Sequence, residues 1–163
     1  MKQHLTVLLV LAAWPWAGLN AQQTASTTFR VQARVNAVCD VVATNLDFGV
    51  YSAQSGSPLQ GTTLLKATCT PNATYQIGLS EGTSPGATVN QRRMVSATSN
   101  VLNYQLYSDS ARSSIWGNTP GTDTVTGVGT GLPQDHTVFG SVPAAQVVPA
   151  EDYADTITVR IYY

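Results

Sequence analysis

Cys39 and Cys69 are the two cysteines of this chain, and their thiols are the first residues to ask for chemistry. A metal site would need further ligands, yet His136 is the single histidine beyond the first 21 residues. A redox pair would favour Cys-x-x-Cys spacing, which is absent. An even pair in an exported chain is most simply a disulfide. It would close a loop of about 30 residues, worth about 3.5 kcal/mol on the chain-entropy estimate. Hydrolytic chemistry has less to work with. Asp135-His136 falls in a polar stretch that reads as loop, and no Gly-x-Ser-x-Gly elbow presents a serine. Asp152 and Asp155 bracket Tyr153, a pattern typical of solvated or turn-forming carboxylates. No catalytic constellation, metal site or cofactor is expected. Arg92-Arg93 is the one basic pair and lacks interleaved aromatics, which argues against a nucleic-acid partner. Asn72-Ala73-Thr74 matches a glycosylation acceptor, a short pattern frequent by chance.

The compartment that would oxidise the cysteines is written at the N-terminus. Met1-Lys2, the apolar run Leu5 to Ala13 and the small-residue site Leu19-Asn20-Ala21 read as a signal peptide over 1–21. A membrane anchor is the competing reading, but Pro15 breaks the run before the roughly 20 residues a bilayer requires. The chain is therefore expected to be exported into an oxidising compartment. Removing Lys2 from the eight Lys and Arg leaves seven bases against nine acids, with no clustered sign. Charged residues are 10% of the chain, against roughly 25% in ordinary soluble domains. Hydroxyls and backbone must supply much of the surface polarity.

Short alternating runs separated by turn residues fill the rest. Phe29, Val31, Ala33 and Val35 alternate with polar residues in a run toward Cys39. Leu46, Phe48 and Val50 form another run, as do Thr62 to Thr68, and Tyr75, Ile77 and Leu79. Val101 to Tyr107, Thr137 to Val142 and the C-terminal segment complete the set. Ser55 to Pro58, Pro71-Asn72, Gly82 to Gly86 and the long Gly117 to Pro133 stretch read as loops. No segment carries a capped helical pattern. The fold class is all-β, an immunoglobulin-like antiparallel sandwich. Ile157, Val159, Ile161 and Tyr163 make one apolar row on a terminal core strand from Asp155, and no later sequence supplies a closing neighbour. The expected sandwich is incomplete, lacking its last strand, with an exposed edge and an open cleft.

In order along the chain, Phe29-x-Val31-x-Ala33 before Cys39, Leu46-x-Phe48-Gly49, Tyr75-x-Ile77 after the second cysteine, and Arg93-Met94 form a recognisable series. Leu102-x-Tyr104-x-Leu106-Tyr107-x-Asp109, Arg112, Trp116-Gly117, Val138-Phe139-Gly140, Pro143, Gln146 and Tyr153-x-Asp155-Thr156 continue it. The whole resembles the spore coat protein U domain family. One departure is Glu151, where a glycine often precedes the tyrosine by two residues. The resemblance implies a subunit of archaic chaperone-usher pili, whose incomplete domain is completed by the N-terminal segment of the next subunit. The implied partners are other pilin subunits, a periplasmic chaperone and an outer-membrane usher.

On this reading residues 22–35 are the donor segment and 36–163 the pilin-type domain. Phe29, Val31, Ala33 and Val35 would be the donor row; Ile157, Val159, Ile161 and Tyr163 would wall the acceptor groove. The same donor row could instead be the first strand of its own sandwich, since both have a period of two. Tyr153 suits a corner tyrosine, while Trp116, Tyr104 and Tyr107 suit the core. The functional expectation is a structural subunit of a fibre for adhesion and biofilm formation. The alternative is a secreted coat or carbohydrate-binding protein with a self-closed sandwich and binding loops such as Gly117 to Pro133.

Overall fold

The computed structural model describes residues 22–163, so the expected signal peptide lies outside the described residues. Of these, residues 22–34 and residues 35–163 fall in separate units. In the first, residues 22–34 are exposed throughout and carry no strand, turn or helix. The second is all-β. Its strands are β1 (Cys39–Ala43), β2 (Leu59–Cys69), β3 (Thr74–Leu79), β4 (Arg92–Val95), β5 (Val101–Tyr107), β6 (Val125–Val128), β7 (Gln134–Val142) and β8 (Val159–Tyr162).

These strands make an incomplete immunoglobulin-like sandwich of two antiparallel sheets, ordered β1-β2-β7-β5-β4 and β6-β3-β8. The long β2–β7 ladder, from Leu59 opposite Val142 to Ala67 opposite Gln134, is the spine of the larger sheet. Alternation decides which side chains face inward. Leu65, Ala67 and Cys69 from β2 meet Tyr75, Ile77 and Leu79 from β3, with Leu102, Tyr104 and Leu106 of β5 completing the buried core. Trp116 fills its centre, 1% exposed, and its indole N–H donates to the Ile77 carbonyl at 2.7 Å. Cys39 lies directly opposite Cys69 in the β1–β2 ladder, and the two form the disulfide.

The least expected core residue is Arg92. Its side chain is fully buried with no carboxylate in contact, and all five guanidinium N–H groups are used. Nε donates to the Ser80 carbonyl at 2.8 Å, and Nη2 to those of Leu79 and Trp116 at 2.9 and 2.8 Å. Nη1 reaches the Gln105 side-chain oxygen at 2.7 Å and the Val89 carbonyl at 3.3 Å. A β4 residue thus clasps the end of β3 in the opposite sheet. Burial lowers its pKa, and the surrounding carboxylates of Asp155, Asp123 and Glu81 oppose that shift.

Several sequence expectations need correction. The run Phe29 to Asn36 is not a strand, because alternation requires a partner to become a ladder and none pairs with it among the described residues. Leu46 to Val50 is not one either: Asp47 Oδ1 accepts the Gly49 N–H at 2.8 Å, and Gly49 turns the chain at φ 74°. The stretch Gly117 to Pro133 is not all loop, since it contains β6. The terminal strand is shorter than Asp155 to Tyr163. Ala154 exchanges two backbone hydrogen bonds with Val95 of β4, and the Thr158 N–H goes to the Ser80 hydroxyl, so a regular ladder begins only at Val159.

Replacing Arg92 with Met takes the guanidinium away from the Ser80, Leu79 and Trp116 carbonyls, while Gln105 Oε1 keeps the Leu106 N–H and the Val89 carbonyl keeps the Gln105 amide, and urea unfolding is expected to show a loss of about 3 kcal/mol or more. Arg92→Lys, with three donors against five, should recover only part of that loss. Equal urea midpoints for Arg92→Met and wild type would remove Arg92 from this role.

Candidate functional site

Two edge strands define the site. β1 borders the larger sheet and β8 the smaller, and β8 pairs only with β3 among the described residues. Between them runs a groove of about 570 Å³, walled by Ala43 to Phe48 on one side and Tyr153 to Ile157 with Val159 on the other. Its floor is apolar: Leu65, Leu79, Met94, Leu106 and Val138, with Tyr104. Past Leu46, Phe48 and Tyr153 it continues into a wider hollow of about 960 Å³, bounded by the chain as far as Gln54 and by Val148 to Asp152.

Each wall is held by its own device. On the first, Leu46 and Phe48 leave the strand and drop onto Gly61 of β2 and Gly140 of β7, which face each other in the ladder. A Cβ on Gly140 would stand 2.7 Å from both the Leu46 methyl and the Phe48 ring, so the missing side chains make the seat. Phe48 then meets Tyr104 edge-on at 6.2 Å.

On the second wall Asp155 is the anchor. One carboxylate oxygen accepts the Tyr104 hydroxyl at 2.7 Å; the other accepts the Thr83 N–H at 2.8 Å and its hydroxyl at 3.1 Å. Burial, reinforced by this bond to Asp155, pushes the Tyr104 phenol far above its ordinary range, so it remains a donor. Gly82, at φ 97°, passes where any Cβ would overlap the Asp155 carboxylate. Tyr153 donates to the Pro149 carbonyl at 3.0 Å, four residues upstream, as a corner tyrosine does. Hydrogen bonds from Ser96, Thr98 and Asn100 hold the Glu151 carboxyl below its usual range.

Of the residues read as acceptor wall, Ile157 and Val159 line the groove. Ile161 lies opposite Ile77 in the β3–β8 ladder, and Tyr163, 62% exposed, follows the strand's end; neither is among the lining residues. In the donor row Phe29, Val31 and Val35 are 87%, 81% and 83% exposed, and Ala33 is exposed as well. Leu46, Phe48, Gly61 and Gly140 join the site although period-two alternation alone does not mark them. The isolated glycine within each strand pattern was the signal for a close approach.

His136 belongs to β7 rather than to a polar loop. Its Nε2 lies 2.9 Å from the buried Tyr75 hydroxyl, joining the two sheets, and burial lowers its pKa against the opposing pull of Asp135. No group of three or more metal-ligating side chains gathers among the described residues.

Gly140→Val should unseat Phe48 and Leu46, costing about 1–3 kcal/mol and distorting the groove; urea unfolding and Phe48 side-chain NMR shifts would check both. Because the folded state disfavours the charged imidazole, stability should hold above the ordinary histidine pKa of about 6.5 and decline as pH falls below it. Melting temperature against pH should show that decline, and His136→Gln should flatten it across the same window.

Comparison with known proteins adds three findings. Residues 25–160 match the Spore Coat Protein U domain. "Protein U" of Myxococcus xanthus is 36% identical over 154 residues, covering 86% of each chain. A solved structure of the CsuC–CsuE chaperone–tip adhesion subunit pre-assembly complex, from the archaic chaperone-usher Csu pili of Acinetobacter baumannii, is similar in fold at a TM-score of 0.55. The identity there is 24%, over 79% of this chain, which spans only 40% of that solved chain.

Proposed function

Because this chain belongs to the Spore Coat Protein U domain family, we propose that it is a structural pilus subunit, polymerising by donor-strand complementation into a surface fibre that mediates adhesion and biofilm formation. The observation that carries this reading is the groove itself, an apolar trough beside the free edge of β8. An inserted strand would satisfy backbone groups along that edge and cover the floor from Leu65 to Val138. Each large apolar side chain withdrawn from water in this way contributes roughly 1.5–3 kcal/mol. The exposed row Phe29, Val31, Ala33 and Val35 is the complementary element, alternating as a donor strand must.

A periplasmic chaperone would occupy the groove first, and an outer-membrane usher would exchange it for the next subunit's N-terminal segment. The protein then acts by assembly rather than by catalysis, at the cell surface after export. A coat component is the second reading, favoured by the family's own description. The two part on whether assembly depends on the groove.

Co-expression of the exported chain with a cognate chaperone should give a stable complex, and release should give ladders that survive SDS without heating. Substituting Phe29 and Val31 with Asp should abolish the ladders and leave the chaperone complex intact. A chain that stays monomeric, folds cooperatively and ignores the chaperone would sink the pilin reading; ladders that persist in the double variant would reassign the donor.

A further inference from the structure

Arg92 and Arg93 are neighbours in β4 with opposite fates. Arg92 uses all five guanidinium N–H groups inside the protein, whereas the Arg93 guanidinium donates to nothing among the described residues. Its Nε is buried and unbonded, which holds for no other side-chain nitrogen or oxygen among the described residues. It forms no ion pair either, since the one among the described residues joins Lys66 to Asp135. Glu151, held against the turn that joins β4 to β5, is taken up by Thr98 and Asn100. A cation partly withdrawn from water and left unpaired costs free energy that a bound anion would recover.

The surroundings say which anion fits. Arg92 and Met94 face inward, so Arg93 faces out, and so does Asn103 between the buried Leu102 and Tyr104. These two residues stand opposite each other in the β4–β5 ladder. Gln146 takes both backbone groups of Asn103 and the Ser84 hydroxyl takes the Arg93 carbonyl, so theirs is the pair without mutual hydrogen bonds, in which side chains lie closer. On the other side of the guanidinium, Gly86 at φ 72° passes so near that a Cβ would stand 3.1 Å from Nη1. Val101, next along the same outer face, is 39% exposed. A guanidinium takes a carboxylate, a side-chain amide both gives to and accepts from a hydroxyl, and an aliphatic side chain covers the C–H face of a sugar ring. We propose that Arg93, Asn103 and Val101 form a binding site for a uronic acid residue of an acidic polysaccharide. None of the three lines the groove, so the site stands whether or not the groove accepts a strand.

The exported chain, disulfide intact, is titrated with glucuronate while the Arg93 Nε–H resonance, sheltered from exchange by burial, is followed by NMR. Saturable movement with a Kd of about 1–10 mM is expected, weakening as salt is added. Glucose should leave the resonance in place. Arg93→Gln should abolish binding, read there from the Asn103 side-chain amide. Asn103→Ala should weaken glucuronate about tenfold and leave acetate unchanged. Because the Arg93 side chain bonds nothing inside the protein, Arg93→Gln should also keep the wild-type urea midpoint, in contrast with Arg92→Met. A resonance that stays still at about ten times the expected Kd, or glucuronate binding that survives Arg93→Gln, overturns the site. Inorganic phosphate or glucose binding as tightly as glucuronate overturns the choice of ligand. A fall in urea midpoint for Arg93→Gln matching that of Arg92→Met would make Arg93 a structural residue instead.

Discussion

A guanidinium buried without a carboxylate partner constrains everything around it, because each of its N–H groups must find an oxygen inside the protein. Arg92 finds five, on Ser80, Leu79, Trp116, Gln105 and Val89. Those oxygens belong to both sheets and to the Trp116 segment between them. Once they converge on one planar group, the end of β3, the start of β4 and the middle of β5 have little freedom to slide. The groove lies directly beside this clasp. Met94 and Tyr104 of its floor sit on β4 and β5, which carry Arg92 and its partner Gln105, and the Ser80 hydroxyl also accepts the Thr158 N–H from the groove's far wall.

An apolar groove open to solvent needs its two walls held in place. The structure meets that requirement with local devices on each side. Gly61 and Gly140 together hollow out a seat for Leu46 and Phe48, so that wall is held by packing. Asp155 ties β5 to the Thr83 loop, so the other wall is held by hydrogen bonds. The two walls are therefore held by different physical means, with the apolar floor between them.

Much of this was legible in the residues. The disulfide followed from an even cysteine pair, and most of β2, β3, β5 and β7 followed from period-two alternation between turn signals. β1, β4 and β6 are not legible in the residues, being short and without a clean alternation of their own. His136 was misplaced for a related reason: Gln134 and Asp135 look like loop, and only pairing with Lys66 and Ala67 makes them strand. Arg92 was hidden because a basic pair reads as solvent-facing, and burial of one arginine depends on carbonyls from distant segments.

The sequence alone determined that the chain is all-β, that it carries one disulfide, and that Phe29 to Val35 and the C-terminal segment each present an apolar row. These are properties of local period and composition, and a strand's two faces are set by its own residues. Tertiary structure decided which rows find a partner. It placed Ile157 and Val159 in the groove and Ile161 in the β3 ladder, it turned Leu46 and Phe48 into a wall, and it left the Phe29 row exposed. Period states that a face wants cover; only the convergence of residues far apart in the chain states what covers it.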